Sequence, residues 1–215
     1  MKNSLGLAMI VRDEDTELEN LFKTLKGVFD EVVIVVNNNK NPKTIPICRL
    51  FTDNVYIINI KSHPDLFIRT GDLVDPNYQH LREYSYSLVK SNLICYLDAD
   101  DLLMNSGEFR QTIANAFSDP LVNVMELPYH YDHDEYGNCV MVHWISRVIR
   151  KGTFTWKGVV HECLLPTQDF KKCRAENVYI RHAVDPDRVR RSATRNFRLS
   201  KFQYEREHQI GRAHV

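Results

Sequence analysis

Leu93-Ile94-Cys95-Tyr96-Leu97-Asp98-Ala99-Asp100-Asp101 is an apolar run of five that ends in three carboxylates within four residues. Five apolar residues without polar alternation read as a strand buried on both faces, the kind found at the centre of a parallel sheet covered by helices. In open α/β sheets the carboxyl edge of such strands is where ligands bind, because the loops leaving it carry chemistry while the sheet holds them still. Three carboxylates there repel one another unless a cation shares the space. Oxygen ligands suit a hard divalent ion, Mg²⁺ or Mn²⁺, which usually completes its shell with water and substrate phosphate. A plain strand and turn is the competing reading, since Asp also caps helices and starts turns.

Outward from this stretch, the N-terminal side repeats the same grammar. Leu5 to Val11 and Glu31 to Val36 are apolar strands, and Val55 to Ile60 is a third. Between the first two, an Asp in Asp13-Glu14-Asp15 caps a helix whose Leu18, Leu21, Phe22, Leu25 and Val28 recur at spacings of three and four. A short helix over 43–51 follows, after Asn37-Asn38-Asn39 ends the second strand. Residues 61–76 read as a long loop, and 77–90 as a helix leading into the central strand. The β-α-β-α-β alternation predicts a doubly wound, mostly parallel sheet.

Beyond Asp101 the pattern changes. Ser106 is placed to cap a helix bearing Phe109 and Ile113, and Asp119-Pro120 ends it. A strand at 122–127, a polar aromatic hairpin region turning at Gly137-Asn138 and an alternating antiparallel strand at 140–149 then make a β-rich segment. A strand near 178–181 ends in His182. The closing segment, 186–208, is helical in composition and carries Arg188, Arg190, Arg191, Arg195, Arg198 and Lys201.

The chain has 215 residues, 43% hydrophobic, enough for a full core, and its net charge of zero hides an imbalance. Residues 1–146 hold 12 Lys/Arg against 21 Asp/Glu, while 147–215 hold 16 against 7. The acidic part suits a metal. The basic part suits a polyanion such as diphosphate, phosphorylated glycan or nucleic acid, or is simply a solvated face. No apolar run approaches a membrane span, and the N-terminus lacks the features of a signal peptide. Five cysteines form no Cys-x-x-Cys pattern, so a reducing cytoplasm is the expected setting. His130, His133 and the cysteines read as structural or exposed, with no recognised zinc spacing among them.

Three blocks resemble the family-2 glycosyltransferases of the GT-A fold, most closely the bacterial and phage branch with lipopolysaccharide-core and peptide glycosyltransferases. They are Leu7-Ala8-Met9-Ile10-Val11-Arg12-Asp13-Glu14, then Arg82-Glu83 through the Asp98-Ala99-Asp100 motif, then Phe154-x-Trp156-x-Gly158-x-x-His161-Glu162 with His182 and Arg195-Asn196. The resemblance spans about residues 5–197. It departs at Asn37-Asn38-Asn39, where relatives often have Asp, and at Glu83, where Asn is usual. Relatives often continue into helical repeats where this sequence ends, which implies a minimal enzyme. The implied organisation is a single Rossmann-like domain over 1–215. Within it, residues 1–101 bind a nucleotide sugar, 102–185 form the acceptor side and 186–215 form the basic helix.

The resemblance implies that Val11, Arg12, Asn37, Asn38, Arg82, Asp98, Ala99 and Asp100 contact the nucleotide sugar. It also implies that Asp100 and His182 ligate Mn²⁺ or Mg²⁺. Ion pairs compete for Arg12 and Arg82, turn formation competes for Asn37 and Asn38, and Asp101 reads as a helix or turn cap. Trp156 either stacks on a sugar face or packs in the core, and His161 falls on the acceptor side. Glu162 is the candidate general base, with Asp132, Asp134 and Asp185 as competitors and an arginine ion pair as its alternative role. Gly158 would let the backbone approach the sugar.

The expected activity is inverting transfer of a sugar from a nucleotide diphosphate sugar, such as a UDP-sugar, to a hydroxyl. The acceptor would be a glycan, peptide or modified DNA. The rivals are a nucleotidyltransferase and a non-catalytic nucleic-acid-binding module.

Overall fold

The structure, a computed structural model, describes residues 3–183 and 186–212, with side chains of the C-terminal helix described for 192–208. Asp185 and the side chains of Arg188, Arg190 and Arg191 lie outside the described residues.

The N-terminal half builds a parallel sheet. β1 (Leu5–Val11) is buried at every position, because it lies between β2 (Glu31–Asn37) and β6 (Leu93–Tyr96) and has helices on both faces. β3 (Val55–Ile58) extends the sheet beyond β2. Alternate residues of β1 serve different layers. Leu5, Leu7, Met9 and Val11 pack with Leu18 and Leu21 of α1 (Thr16–Thr24) and Cys48 of α2 (Thr44–Phe51). Ala8 and Ile10 face the opposite layer, which holds Leu81 and Tyr86 of α3 (Tyr78–Leu88). Each fully buried Leu contributes about 1.5–3 kcal/mol, so this two-sided burial fixes the register of the half-sheet.

Residues 61–76 are more ordered than the sequence suggests. They hold a 3₁₀ turn at Pro64–Leu66 and a hairpin of β4 (Phe67–Thr70) and β5 (Leu73–Pro76). Both strands are four residues long and partly exposed, too short for alternation to show. Another unread strand, β7 (Asp101–Met104), begins on the last carboxylate of the central motif. α4 (Ser106–Ala116) follows, with left-handed Asn105 rather than Ser106 at its N-cap.

β8 (Val122–His133) and β9 (Cys139–Arg150) form the long antiparallel hairpin expected from the sequence, with β9 also pairing antiparallel to β6. β10 (Phe154–Lys157) and β11 (Cys163–Pro166) make a separate two-stranded sheet. β12 (Lys171–Arg174) and β13 (Tyr179–His182) both run parallel to β8, and β13 pairs antiparallel with β7. The order across the main sheet is β3-β2-β1-β6-β9-β8-β13-β7. α5 (Pro186–Arg212) closes the chain. The architecture is therefore α/β, with a mostly parallel central sheet flanked by helices, a β-rich segment and a C-terminal helix.

Candidate active site

The carboxyl ends of β1, β2 and β6 open into a cavity of about 1250 Å³, whose far wall is the face of α5 from Ser192 to Ser200. It receives nearly every residue singled out in the sequence: Val11, Arg12, Asn37, Asn38, Arg82, Asp98, Ala99, Asp100, His161, Glu162 and His182. Trp156 is the exception.

The loops after β1 and β2 are tied together. Asp13 Oδ1 accepts from the backbone N–H groups of Lys40 and Asn41, and Asp13 N–H donates to Asn39 Oδ1 at 3.1 Å. Arg12 N–H donates to Glu14 Oε2 at 3.0 Å, and the Arg12 side chain lies 3.7 Å from Asp13, one-third exposed. Asn37 Nδ2 donates to the carbonyl of Val11 at 3.1 Å, while its buried Oδ1 has no hydrogen-bond partner among the described residues. A buried unpaired amide oxygen costs roughly 1–3 kcal/mol. Asp13, Asn38 and His161 all adopt positive φ, at 58°, 43° and 53°. Non-glycine residues in that region are held there by their surroundings, typically at functional sites.

At the centre two buried guanidinium groups are ringed by carboxylates. Arg82, on α3, donates from Nη2 to Asp98 Oδ1 at 2.6 Å and from Nε to Glu162 Oε1 at 2.9 Å. Arg147, on β9, lies 3.2 Å from Asp101 Oδ2 and 3.9 Å from Asp98 Oδ2. Each guanidinium is under one-tenth exposed. Desolvating an ion costs several kcal/mol, so each cation demands these partners. Asp98 is only partly withdrawn from water, and Arg82 and Arg147 outweigh that desolvation and hold its carboxyl below its ordinary range.

Asp101 bonds the turn, as the sequence suggested, but does so from the interior. It is fully buried and accepts from Tyr129 Oη at 2.8 Å and from the N–H of Asp98 at 2.9 Å, which pins the turn that presents Asp98 and Asp100. Burial pushes its carboxyl up to about 6, against the pull of Arg147. Sequence reasoning missed Arg147 and Tyr129. The one available signal was a charged residue beside the apolar Val148-Ile149 pair.

Asp100 and His182 come together from either side of the β7–β13 ladder, with His182 Nε2 at 3.7 Å from Asp100 Oδ2. The N–H of Ala183 donates to the carbonyl of Asp100 at 2.8 Å, locking the two segments. His182 stacks on Tyr131 with ring centroids 5.1 Å apart. Burial alone lowers the pKa of His182, but hydrogen bonding and charge from Asp100, with Asp101 behind, raise it above its ordinary value. One carboxylate and one imidazole facing a polar cavity at this separation form a donor pair that fits Mn²⁺.

Glu162 stands at the end of a clamped loop. Gly158 has φ 109°, and a Cβ there would come within 3.3 Å of Glu162 Cα. Glycine is needed there for the loop's own turn. The loop is held by three bonds: Gly158 N–H to Gln79 Oε1 at 3.2 Å, Val159 N–H to Gln203 Oε1 at 2.9 Å, and Tyr78 N–H to the Val159 carbonyl at 3.1 Å. Leu199 of α5 packs fully buried against Val159 and Val160. Glu162 Oε2 has no hydrogen-bond partner among the described residues, Oε1 being taken by Arg82.

The expectation of a sugar-stacking Trp156 is not met. Trp156 is 3% exposed, edge-on to Tyr86 and Tyr96, and its ring lies 5.6 Å from the Arg82 guanidinium carbon. It serves as a floor for that cation. Asp132 and Asp134, the competing carboxylates, sit away from the cavity. Asp132 Oδ1 accepts from His133 N–H, and Asp134 caps the hairpin turn through Tyr136 and Asn138. On α5, Arg198 pairs with Asp75 at 3.0 Å, whereas Arg195 lines the cavity over the Tyr78 ring with no carboxylate partner among the described residues.

No protein-family model matches the chain, and no curated protein matches it. Among solved structures it is similar to S. aureus TarS 1-349, at 13% identity and a TM-score of 0.44, covering 61% of this chain and 37% of that one. It is similar to the same protein in complex with UDP at 14% and 0.45, covering 64% and 38%. It is also similar to glucosyl-3-phosphoglycerate synthase from Mycobacterium tuberculosis in complex with Mn²⁺ and UDP-glucose, at 9% and 0.40, covering 60% and 44%. The chain spans less than half the length of each of these structures.

Proposed function

We propose that the chain is a metal-dependent, inverting glycosyltransferase of the GT-A type that moves a sugar from a nucleoside diphosphate sugar, a UDP-sugar, to an acceptor hydroxyl. The observation that carries this reading is the meeting of Asp100 and His182 at the mouth of a charged cavity on the carboxyl edge of the sheet. Together they would hold Mn²⁺ or Mg²⁺, which supplies charge neutralisation for the departing diphosphate.

The rest of the site divides by chemistry. The loops after β1 and β2 bind the nucleoside, with Asn37, Asn38, Val11 and Arg12 bordering the base and ribose. Asp98, oriented by Arg82, receives the ribose or sugar hydroxyls. Arg195 faces the diphosphate or an anionic group on the acceptor. The acceptor, a glycan, peptide or modified DNA, enters beside His161. Glu162 Oε2 takes the proton from its hydroxyl while Oε1 stays fixed by Arg82. The hydroxyl oxygen bonds to the anomeric carbon as the bond from that carbon to the phosphate oxygen breaks, and the diphosphate leaves with the electron pair. Residues 1–101 thus form the donor side and 102–185 most of the acceptor side of one domain, working in the cytoplasm where nucleotide sugars are made. No helix among the described residues is long and apolar enough to cross a membrane.

The test is a panel of nucleotide sugars incubated with the protein, with and without Mn²⁺, and assayed for released nucleoside diphosphate. Metal-dependent release from a UDP-sugar is the expected result. Release of pyrophosphate instead would identify a nucleotidyltransferase. Salt-sensitive DNA binding with no turnover would identify a binding module.

A further inference from the structure

The β8–β9 hairpin carries a group of side chains that the cavity does not use. His130 and His133 on β8 and Cys139 at the start of β9 each offer one ligand atom, and the three atoms lie within 4.8 Å of one another. In a regular strand, residues three apart point to opposite faces. Here the ladder with β9 slips between His130 and Asp132 and again between Asp132 and His133, and these irregularities return His133 to the His130 face. Cys139 lies directly across the ladder from His133. Tyr129 and Tyr131, on the other face of β8, line the cavity, so the strand separates two groups of polar side chains.

The arrangement is held and uncommitted. The His130 ring stacks on Tyr179 with centroids 4.2 Å apart and planes 21° from parallel, which sets its orientation. Neither imidazole makes a hydrogen bond among the described residues, and the Cys139 thiol donates only to the Met141 carbonyl at 3.3 Å. The hairpin's carboxylates are occupied by backbone N–H groups, Asp132 by that of His133 and Asp134 by those of Tyr136 and Asn138. Two imidazoles and a thiolate form a nitrogen and sulfur donor set, which selects zinc-class ions over Mg²⁺ or Mn²⁺. Tetrahedral bonds of about 2.0–2.3 Å keep ligand atoms roughly 3.3–3.8 Å apart, so the three need close by only about an ångström. All three residues are half-buried, leaving the fourth position open to water.

We propose that His130, His133 and Cys139 form a Zn²⁺ site, completed by water, that ties the two strands of the hairpin together near its turn. It is separate from the Asp100 and His182 pair and does not depend on the transfer reaction.

The full chain, stripped with chelator, is titrated with Co²⁺ as a spectroscopic probe and then with Zn²⁺. One equivalent of Co²⁺ is expected to give a thiolate-to-metal charge-transfer band with tetrahedral visible bands, both displaced by Zn²⁺. Cys139→Ser should abolish the charge-transfer band, and His133→Ala should weaken Zn²⁺ binding by at least about tenfold. Cys163→Ser, which removes the exposed cysteine, should leave the spectrum unchanged. A band that survives Cys139→Ser, or Co²⁺ binding that gives no thiolate charge-transfer band, overturns the proposal. Melting curves confirm that each variant is folded. If Cys139→Ser is not, His130→Ala is read in the same way, and an unchanged spectrum there is equally fatal.

Discussion

The guanidinium of Arg82 and the carboxylate of Glu162 meet at 2.9 Å, joining the middle of α3 to the loop after β10. The same guanidinium holds Asp98, so one cation positions a residue on the donor side and the candidate base together. Replacing it by alanine leaves Glu162 without its counter-ion and Asp98 with only Arg147, 3.9 Å away. We expect Arg82→Ala to cost about 3–5 kcal/mol of stability in urea unfolding. Arg82→Lys keeps the charge but cannot bond both partners through a planar fork, and should fold yet lose most transfer activity. Wild-type stability of the alanine variant would show that the network is incidental.

Glu162→Gln keeps an oxygen for Arg82 Nε but cannot accept the acceptor proton. Transfer should fall by about 10²–10⁴-fold with donor affinity unchanged, measured as single-turnover rate beside nucleotide titration. Near wild-type rates with normal donor binding would remove Glu162 from the reaction.

Asp100→Asn should lower metal-dependent turnover by about 10²-fold or more while leaving the melting curve intact, because its side chain faces the cavity rather than the core. Full turnover by this variant, or by wild type in excess chelator, contradicts the metal role.

The pH dependence follows from His182, whose pKa is raised above 6.5 by Asp100. The protonated ring has no lone pair at Nε2 for a metal, so Mn²⁺ affinity should rise about tenfold per pH unit below that pKa and level off above it. The metal-free protein should show the opposite trend in stability. A raised histidine pKa stabilises the folded state below about 6.5, and this contribution is lost as pH rises through the folded value. Mn²⁺ titrations between pH 6 and 8 check the first trend, and His182→Asn should flatten both.

Gly158→Ala should cost about 1–3 kcal/mol, because φ 109° is closed to alanine and the new methyl would crowd the Glu162 backbone. Transfer should fall further than stability alone explains. The comparison is kcat below the melting range against the unfolding free energy.

Much of the N-terminal half is legible in the sequence because burial on both faces writes itself as uninterrupted apolar runs. β1, β2 and β6 announce their ends by Arg12, Asn37 and Asp98, and those ends become the cavity edge. What the sequence conceals depends on pairing between distant residues. Arg147 looks like a solvent-facing residue of an alternating strand until Asp101 is found fully buried against it. Trp156 looks equally suited to a sugar or to the core, and Tyr86 and Tyr96 decide for the core. His130, His133 and Cys139 have no metal-site spacing along the chain, because slips in the β8–β9 ladder bring them together.

α5 supplies a wall of the cavity, and among the described residues it is anchored by Asp75 on Arg198, Val159 on Gln203, Tyr78 under Arg195 and the pocket around Leu199. For protein engineering this makes the helix an exchangeable cassette. Keeping those anchor positions and redesigning Ala193 and Ser200 would recast the shape and charge offered to an incoming molecule while leaving the sheet edge untouched.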